Sequence, residues 1–230
     1  MRRLLSLLNL IVSTLFLATV AVFVSPIDRD GGRIHRIARF WASIHLRVSG
    51  ITVSLQNAEN LPEPPYLFMS NHQSSLDIFA LLAALPLSFK FIAKRQLFAI
   101  PFFGWAMRRA GYISIDRDSP REALKAIEEA VEKIREGTTV LIFPEGTRSP
   151  DGKLLPFMKG AFFLASRAAV PVVPLAIVGT NQLQPPGKAV PGRKGQVTVH
   201  VGRPILPGGK DLPSKAGLME EVRRAIEGMM

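Results

Sequence analysis

Residues 119 to 149 read SPREALKAIEEAVEKIREGTTVLIFPEGTRS, and this stretch decides the fold class. Its first half predicts a helix: Ser119 caps the N-terminus, Pro120 occupies the first turn, and Glu122 completes a capping box with the serine. Gly137 then ends the helix. Apolar residues at spacings of three and four between these ends predict a buried stripe of Leu124, Ile127, Val131 and Ile134.

The second half of the stretch predicts a buried strand. TTVLIF, residues 138–143, is apolar without alternation, as expected for a parallel strand that is covered on both faces. Further strand-like runs alternate with helical ones along the chain. The strand-like runs are GITVSLQ, YLFMS, SFKFIA, GYISID, VPVVPLAIVG and GQVTVHVG, and the helical runs are DIFALLAAL, PFFGWAMRRA, KGAFFLASRA and PSKAGLMEEVRRAIEGM. This alternation predicts one α/β domain over residues 50–230, with a mixed, mostly parallel sheet flanked by helices.

The composition excludes some chemistry and favours one kind of partner. The chain has no cysteine, which excludes disulfides, cysteine-based metal sites and a thiol nucleophile. Its net charge is +11, which favours anionic partners. Residues 1–49 hold seven arginines against two aspartates, so that almost half of the excess flanks the apolar N-terminus. This distribution indicates a membrane surface that contains anionic phospholipid rather than a nucleic-acid groove.

The first 24 residues contain a long apolar run. Residues 4–24 carry no charge, and at ~1.5 Å per residue they would reach across ~31 Å, about one bilayer core. A signal peptide is the alternative, but the run is longer than usual and no small-x-small cleavage site follows it. Arginines on both sides fit a helix that dips into one leaflet and returns, and a spanning helix stays open as the alternative. If the run spans, the larger downstream cluster places the main domain in the cytoplasm.

A second N-terminal segment has the pattern of a basic amphipathic helix. It follows the helix-breaking sequence SPIDRDGG, and arginines lie between its apolar positions. Such a helix either lies in a membrane interface or packs on the domain's own core. We predict that residues 1–49 form a membrane-associating helical pair. The apolar positions are Ile34, Ile37, Trp41, Ile44 and Val48.

The sequence NHQSSLD, residues 71–77, has two interpretations. Ser74 and Asp77 match a capping box, in which the carboxylate only accepts from backbone N–H groups. Alternatively, Asp77 reaches back to Nδ1 of His72, which follows a strand and precedes a helix. Nε2 would then face the carboxyl edge of the sheet, where open α/β sheets bind their ligands, and could act as a general base.

The sequence FPEGTRS, residues 143–149, follows the strand TTVLIF and therefore lies at the same edge. Gly146 lets the backbone approach a ligand, Thr147 and Ser149 carry hydroxyl groups, and Arg148 offers a planar fork that suits phosphate. By itself, this stretch could also be an ordinary turn with a surface arginine.

Together these motifs resemble the glycerolipid acyltransferase family, specifically the 1-acyl-sn-glycerol-3-phosphate acyltransferases. The four blocks of that family occur in order across residues 71–178, and FMKGAF at 157–162 also resembles it. The blocks are HQSSLD, FIAKRQLFAIPFFGW, FPEGTRS and VPVVPLAI. The resemblance implies that an acyl group passes from a thioester of coenzyme A or acyl carrier protein to the sn-2 hydroxyl of lysophosphatidic acid. The product would be phosphatidic acid, made in phospholipid biosynthesis without a cofactor or a metal.

The resemblance also implies roles for individual residues. His72 would take the hydroxyl proton and return it to the leaving thiolate, while Asp77 would fix the imidazole tautomer. Lys94 and Arg148 would bind the acceptor phosphate, and Glu145 would order the loop or the glycerol hydroxyls. The implied acceptor site consists of Lys94, Glu145, Gly146, Thr147 and Arg148, and the lesser candidates are Arg95, Gly104 and Lys159.

Two alternatives stay open at this point. A sister enzyme could acylate glycerol 3-phosphate or another lysophospholipid, and a non-enzymatic protein could bind anionic membranes through its charge. The expected location is the cell membrane, with the catalytic domain on the cytoplasmic side. The acyl donor, the acyl-chain length, the oligomeric state and the backbone groups of the oxyanion site are left open by the sequence.

Overall fold

A computed structural model describes residues 1–207 and 215–230, and it contains one seven-stranded sheet. The strands are β1 (Ile51–Gln56), β2 (Leu67–Ser70), β3 (Lys90–Lys94), β4 (Ile113–Ile115), β5 (Val140–Ile142), β6 (Val172–Val178) and β7 (Gly195–Val201). The helices are α1 (Arg2–Val24), α2 (Gly32–Ser49), α3 (Leu76–Ala84), α4 (Arg95–Phe98), α5 (Phe103–Arg109), α6 (Pro120–Arg135), α7 (Lys159–Ala168), α8 (Thr180–Leu183) and α9 (Lys215–Glu227). The predicted start of the last helix at 213–214 lies outside the described residues.

The sheet is mixed and mostly parallel. Its strand order is β1-β7-β6-β2-β5-β3-β4, and the strands of every neighbouring pair are parallel except β6 and β7. Helices α2 and α3 cover one face, and α6, α7 and α9 cover the other. Each central strand is therefore buried on both sides, which explains why TTVLIF and VPVVPLAIVG are apolar without alternation. The predicted α/β class and mostly parallel sheet are confirmed.

Helix α6 shows how well a local pattern specifies an element. The Ser119 hydroxyl accepts from the Glu122 backbone N–H at 3.4 Å. The Glu122 carboxylate bonds to Lys125 at 2.8 Å instead of completing the capping box. The predicted stripe is wrong at Leu124, which is 44% exposed. Alanines at 126 and 130 are buried instead, so the buried face of the helix is centred on the side away from Leu124.

The two N-terminal helices pack against the rest of the chain. The Trp41 ring of α2 lies 4.6 Å from the Phe79 ring of α3, and the buried residues of α2 include Ile34 and Leu46. This face of α2 therefore packs on the domain's own core, as the second of the two alternatives predicted. The residues with large side chains on its exposed side include Val48, the last position of the predicted apolar stripe. The others are Arg33, Arg36, Phe40 and Arg47.

Helix α1 lies along α2 with one face covered. The Trp41 indole donates to the Thr14 hydroxyl at 3.0 Å, and Ser49 bonds to Ser6 at 3.2 Å. Near its other end, Ala21 is buried in a cluster with residues of α2 and α5. By length and composition, residues 2–27 could cross a membrane, and little of this stretch is buried. The exposed apolar side of α1 includes Leu4, Leu8, Ile11, Val12, Leu15 and Phe16.

Candidate active site

Two parallel strands bring the main motifs side by side. Strand β2 ends at Ser70 and its neighbour β5 ends at Ile142, with Met69 opposite Ile142 in the register. The segments that follow leave the same carboxyl edge. Asn71 fixes this point, since its side-chain amide donates to the Ile177 carbonyl at 2.9 Å and accepts from the Ile177 N–H at 2.7 Å. The sheet therefore holds the residues after β2 and β5 in a defined relative position.

His72 and Asp77 form a direct hydrogen bond. Nδ1 of His72 lies 2.8 Å from Oδ2 of Asp77, which is completely buried. The same oxygen accepts from the backbone N–H groups of Gln73 at 2.7 Å and Ser74 at 2.8 Å. Asp77 therefore caps the turn and orients the imidazole at once, so both interpretations of the sequence describe it. An ionised carboxylate only accepts, so in the neutral imidazole Nδ1 would carry the proton and Nε2 would have a free lone pair.

The imidazole is also held by an aromatic contact. The His72 ring stacks on Phe143 with a centroid distance of 4.0 Å and an interplanar angle of 17°. Phe143 is the first residue after β5, so the second motif supports the side chain of the first. The Ser149 N–H donates to the His72 carbonyl at 2.8 Å, which fixes the backbone from the same loop.

Glu145 lies behind His72. Its carboxylate accepts from the His72 N–H at 2.6 Å and from the Leu155 N–H at 2.8 Å. The side chain is buried, and it is absent from the lining of the cavity described below. Burial raises the pKa of Glu145 to about 7, although the two N–H donors and the charge of Arg223 act in the opposite direction. Of the two roles that the resemblance implied for Glu145, its contacts fit the ordering of the loop rather than a bond to the glycerol hydroxyls.

The Gly146 position requires glycine for two reasons. Its φ is +73°, which side chains rarely adopt, and a Cβ there would overlap with the Met158 sulfur. The next two residues, Thr147 and Arg148, line the cavity. The Arg148 guanidinium donates to the Ser75 hydroxyl at 2.7 Å, which places it at the start of α3.

Two further cations reach the same cavity from neighbouring strand ends. Lys94 ends β3 and Arg117 follows β4, and both line the cavity together with Arg148. Partial burial lowers the pKa of Arg117. Arg117 lies outside the motifs identified in the sequence. The pattern GYISIDRD could have indicated it, since an arginine directly follows a predicted strand at the edge that carries the other motifs.

The three lesser candidates lie outside the cavity lining. Arg95 forms an ion pair with Asp116 at 2.8 Å. Gly104 allows α5 to approach α4, because a Cβ there would overlap with the Phe98 carbonyl. Lys159 is an exposed residue at the start of α7. These positions therefore contribute to packing and the surface.

The cavity has a volume of about 580 Å³ and two distinct parts. We call the first part the mouth, and its residues are His72, Ser75, Lys94, Asp116, Arg117, Asp118, Gly146, Thr147 and Arg148. Asp116 is paired with Arg95 outside the cavity. We call the second part the interior. Its residues are apolar apart from Thr14, Gln96 and Tyr112. They come mainly from α1, α2, α3 and α5, among them Leu17, Ala21, Ile34, Trp41, Phe79, Phe103 and Met107, and also from β3 and α4, among them Ile92 and Leu97. Such a cavity suits a molecule with an anionic head and a hydrocarbon chain. In the described part of the chain, His, Asp and Glu form no cluster that would hold a metal ion.

Known proteins resemble this chain in sequence and in structure. A family model described as acyltransferase matches residues 52–178. The chloroplastic 1-acyl-sn-glycerol-3-phosphate acyltransferase BAT2 of Brassica napus is 40% identical over 223 residues, which cover 96% of this chain and 63% of that protein. The 1-acyl-sn-glycerol-3-phosphate acyltransferase of Pseudomonas aeruginosa is 38% identical over 164 residues, which cover 69% of this chain and 63% of that protein. The chain thus spans less than two thirds of the length of both relatives.

A solved structure covers nearly the same length. The crystal structure of the 1-acyl-sn-glycerophosphate acyltransferase PlsC from Thermotoga maritima has a TM-score of 0.78 and 30% sequence identity. The match includes 100% of this chain and 98% of the other. It therefore extends over α1 and α2 as well as over the sheet.

Proposed function

We propose that this chain, which belongs to the acyltransferase family, transfers an acyl group to the sn-2 hydroxyl of 1-acyl-sn-glycerol 3-phosphate. The product is phosphatidic acid, a precursor in phospholipid biosynthesis. The donor is a thioester of coenzyme A or acyl carrier protein, and the reaction uses no cofactor. The relatives from Brassica napus and Pseudomonas aeruginosa, whose names include this activity, support the acceptor.

One observation carries the proposal. His72, which is hydrogen-bonded to Asp77, lies where the mouth with its three cationic side chains meets the largely apolar interior. The 2.8 Å contact between His72 and Asp77 leaves Nε2 without its own proton, as a general base requires. Cations beside it suit the acceptor phosphate, and the interior suits the acyl chain of the donor. Each partner of the reaction thereby has a place next to Nε2.

The proposed reaction transfers one proton from the acceptor hydroxyl to His72 and then from His72 to the leaving thiolate. His72 Nε2 accepts the proton of the sn-2 hydroxyl while the oxygen forms a bond to the thioester carbonyl carbon. The tetrahedral intermediate then collapses, the carbon–sulfur bond breaks, and the imidazolium returns the proton to the thiolate. Asp77 remains ionised and stabilises the imidazolium, as the aspartate does in serine hydrolase triads. No protein group is acylated in this sequence.

The acceptor phosphate binds between the cations of the mouth. Lys94, Arg117 and Arg148 reach the mouth of the cavity from three neighbouring strand ends, and we propose that the phosphate binds among them. The Arg148 fork exchanges its bond to Ser75 for a bidentate bond to phosphate. A phosphate held there fixes the glycerol backbone and brings the sn-2 hydroxyl toward His72.

The enzyme is expected at the cell membrane, with its catalytic domain on the cytoplasmic side. The exposed apolar residues of α1 provide a surface for the acyl region of a leaflet, and the arginines of residues 1–49 suit anionic headgroups. Because α1 also lines the cavity, a leaflet that covers α1 would lie close to the interior. The acceptor and the product could then exchange with the membrane directly.

The decisive experiment measures thioester consumption with lysophosphatidic acid by the full chain and by His72→Ala. We expect turnover in the full chain and almost none in the variant. A screen with glycerol 3-phosphate and larger lysophospholipids separates the proposed acceptor from those of sister enzymes. A folded His72→Ala protein with full activity would rule out the mechanism.

A further inference from the structure

The C-terminal helix reaches the back of the proposed catalytic site. Helix α9 is anchored in the core by Leu218, Val222 and Ile226. From this helix, the Arg223 guanidinium donates to the Leu155 carbonyl at 3.0 Å and to the Leu154 carbonyl at 3.2 Å. A single planar fork thus holds two successive carbonyl groups of the loop between FPEGTRS and α7, and its Nη2 also forms an ion pair with Glu227 of the same helix at 2.8 Å.

The loop that Arg223 holds is bonded in turn to the second motif. The Leu155 N–H donates to Oε2 of Glu145 at 2.8 Å, and the Met158 N–H donates to the Pro144 carbonyl at 2.8 Å. The carbonyl and the N–H of one residue therefore contact Arg223 and Glu145, respectively. A displacement of this loop would change the position of the Glu145 carboxylate.

The last link reaches His72. Oε1 of Glu145 accepts from the His72 N–H at 2.6 Å. A continuous series of hydrogen bonds therefore runs from Arg223 through Leu155 and Glu145 to the backbone of His72. The Asp77 bond orients the imidazole ring, whereas this series fixes the backbone from which the ring projects.

We propose that Arg223 is a positioning residue for His72, and that it acts through the loop at Leu154–Leu155 and the carboxylate of Glu145. The inference rests on the proposed function, because it assigns Arg223 a part in placing the base of that reaction. Arg223 lies outside the four blocks, near the end of the chain, and only the folded structure connects it with the site.

The charge of Glu145 provides a readout that a purely structural contact would not change. The charged groups that act on this carboxylate are Asp77 on α3 and Arg223 on α9, and Arg223 is itself paired with Glu227. Arg223 favours the ionised form through its own charge, and it also supports the loop that supplies the Leu155 N–H. Its loss should therefore raise the pKa of Glu145 further, so that the carboxylate is protonated at higher pH. The positioning of His72 should then fail first on the acid side.

The test compares Arg223→Met, Arg223→Lys and Arg224→Met in the full chain. Methionine keeps an apolar stem against Phe157, whose ring lies 5.6 Å from the guanidinium carbon, but it removes the donors and the charge. Lysine keeps the charge but replaces the planar fork with a single ammonium group. Arg224 is the matched control, since it lies on the same helix, is exposed and pairs only with Glu220 among the described residues. Rates are divided by the folded fraction from thermal unfolding.

We expect Arg223→Met to lower kcat about tenfold near pH 6 and about threefold near pH 8.5, with KM for the acceptor within about twofold of wild type. Arg223→Lys should recover most of the loss on the acid side, and Arg224→Met should match wild type. Unchanged turnover in Arg223→Met, or a loss of the same size at every pH, would overturn the proposal. His72→Ala, assayed in parallel, distinguishes the two failures, since its activity tests the proposed function and does not depend on Arg223.

Discussion

The mouth and the interior of the cavity are built from different kinds of sequence. Residues of the mouth come from short motifs that directly follow β2, β3, β4 and β5, so each motif places its polar side chains at one edge of the sheet. Residues of the interior are mostly single apolar positions on several helices and on β3, spread from α1 to α5 along the chain. One substitution in the mouth can therefore remove a catalytic or binding role, whereas one substitution in the interior changes only the size or shape of the cavity.

The sharpest test of this difference is His72→Ala. The variant removes the proposed base and leaves the apolar packing in place. We expect kcat/KM to fall at the upper end of the ~10²–10⁴-fold range for a positioned proton acceptor, or beyond it. Asp77→Asn should lose less, since part of the orientation survives. Circular dichroism and thermal unfolding serve as controls for the fold, and activity near wild type in folded His72→Ala would contradict the assignment.

Arg148→Ala tests the phosphate site at the mouth. The loss of one charge-assisted contact should lower kcat/KM for lysophosphatidic acid roughly tenfold to a hundredfold. Arg148→Lys should restore little, because a point charge cannot replace the planar fork.

The control for Arg148→Ala is the dephosphorylated acceptor, monoacylglycerol. Lysophosphatidic acid should be preferred by a wide margin in the wild type, and the variant should reduce that margin. Equal losses for both acceptors would show that Arg148 has a structural role and that the phosphate binds elsewhere.

Ala21→Leu probes the interior, where we expect a smaller effect. Ala21 is buried at the cavity wall, so a larger side chain there shortens the space for an acyl chain. We expect kcat/KM for long-chain donors to fall about three- to tenfold, with short-chain donors unaffected. Thr19→Leu on the exposed side of the same helix is the matched control. A uniform loss across chain lengths would mean that the interior does not hold the transferred chain.

The smallest effect on turnover is expected from the outer side of α1. Leu8, Ile11 and Leu15 are exposed, and their joint replacement by glutamine should weaken sedimentation with anionic vesicles roughly tenfold or more. Activity on detergent-dispersed substrate should change little. Leu124→Gln on α6 is the control for an exposed leucine elsewhere. Substitution is preferable to deletion of residues 1–25, since α1 also forms part of the cavity wall; unchanged vesicle binding would place the membrane contact on another surface.

Much of the mouth could be predicted from sequence because its geometry is local. A strand end, a histidine and an aspartate in the next helical turn are enough to bring Nδ1 of His72 to the carboxylate of Asp77. The parallel neighbour β5 then brings FPEGTRS to the same edge. The capping and orienting roles of Asp77 could not be separated in sequence, and the structure shows that one oxygen performs both.

The remaining features depend on contacts between distant segments. The direction of Glu145 follows from its bond to the Leu155 N–H, which no pattern within FPEGTRS specifies. Helix α2 could be predicted as a helix, but its apolar stripe suits a membrane interface and a protein core equally well. Its contact with Phe79 decides where part of that stripe lies. Arg117 could have been predicted in the same way as Lys94, because Lys94 ends one strand and Arg117 follows another.

The stacking of His72 on Phe143 has a consequence for the charged intermediate. In the proposed reaction the imidazole becomes a cation while its ring lies 4.0 Å from the phenyl ring. The face of an aromatic ring carries the negative part of its quadrupole, and it attracts a cation by ~0.5–2 kcal/mol. Phe143 would therefore favour the imidazolium over the neutral ring, alongside the Asp77 carboxylate. The benzene face thus becomes an electrostatic partner of the proton transfer as well as a wall of the site.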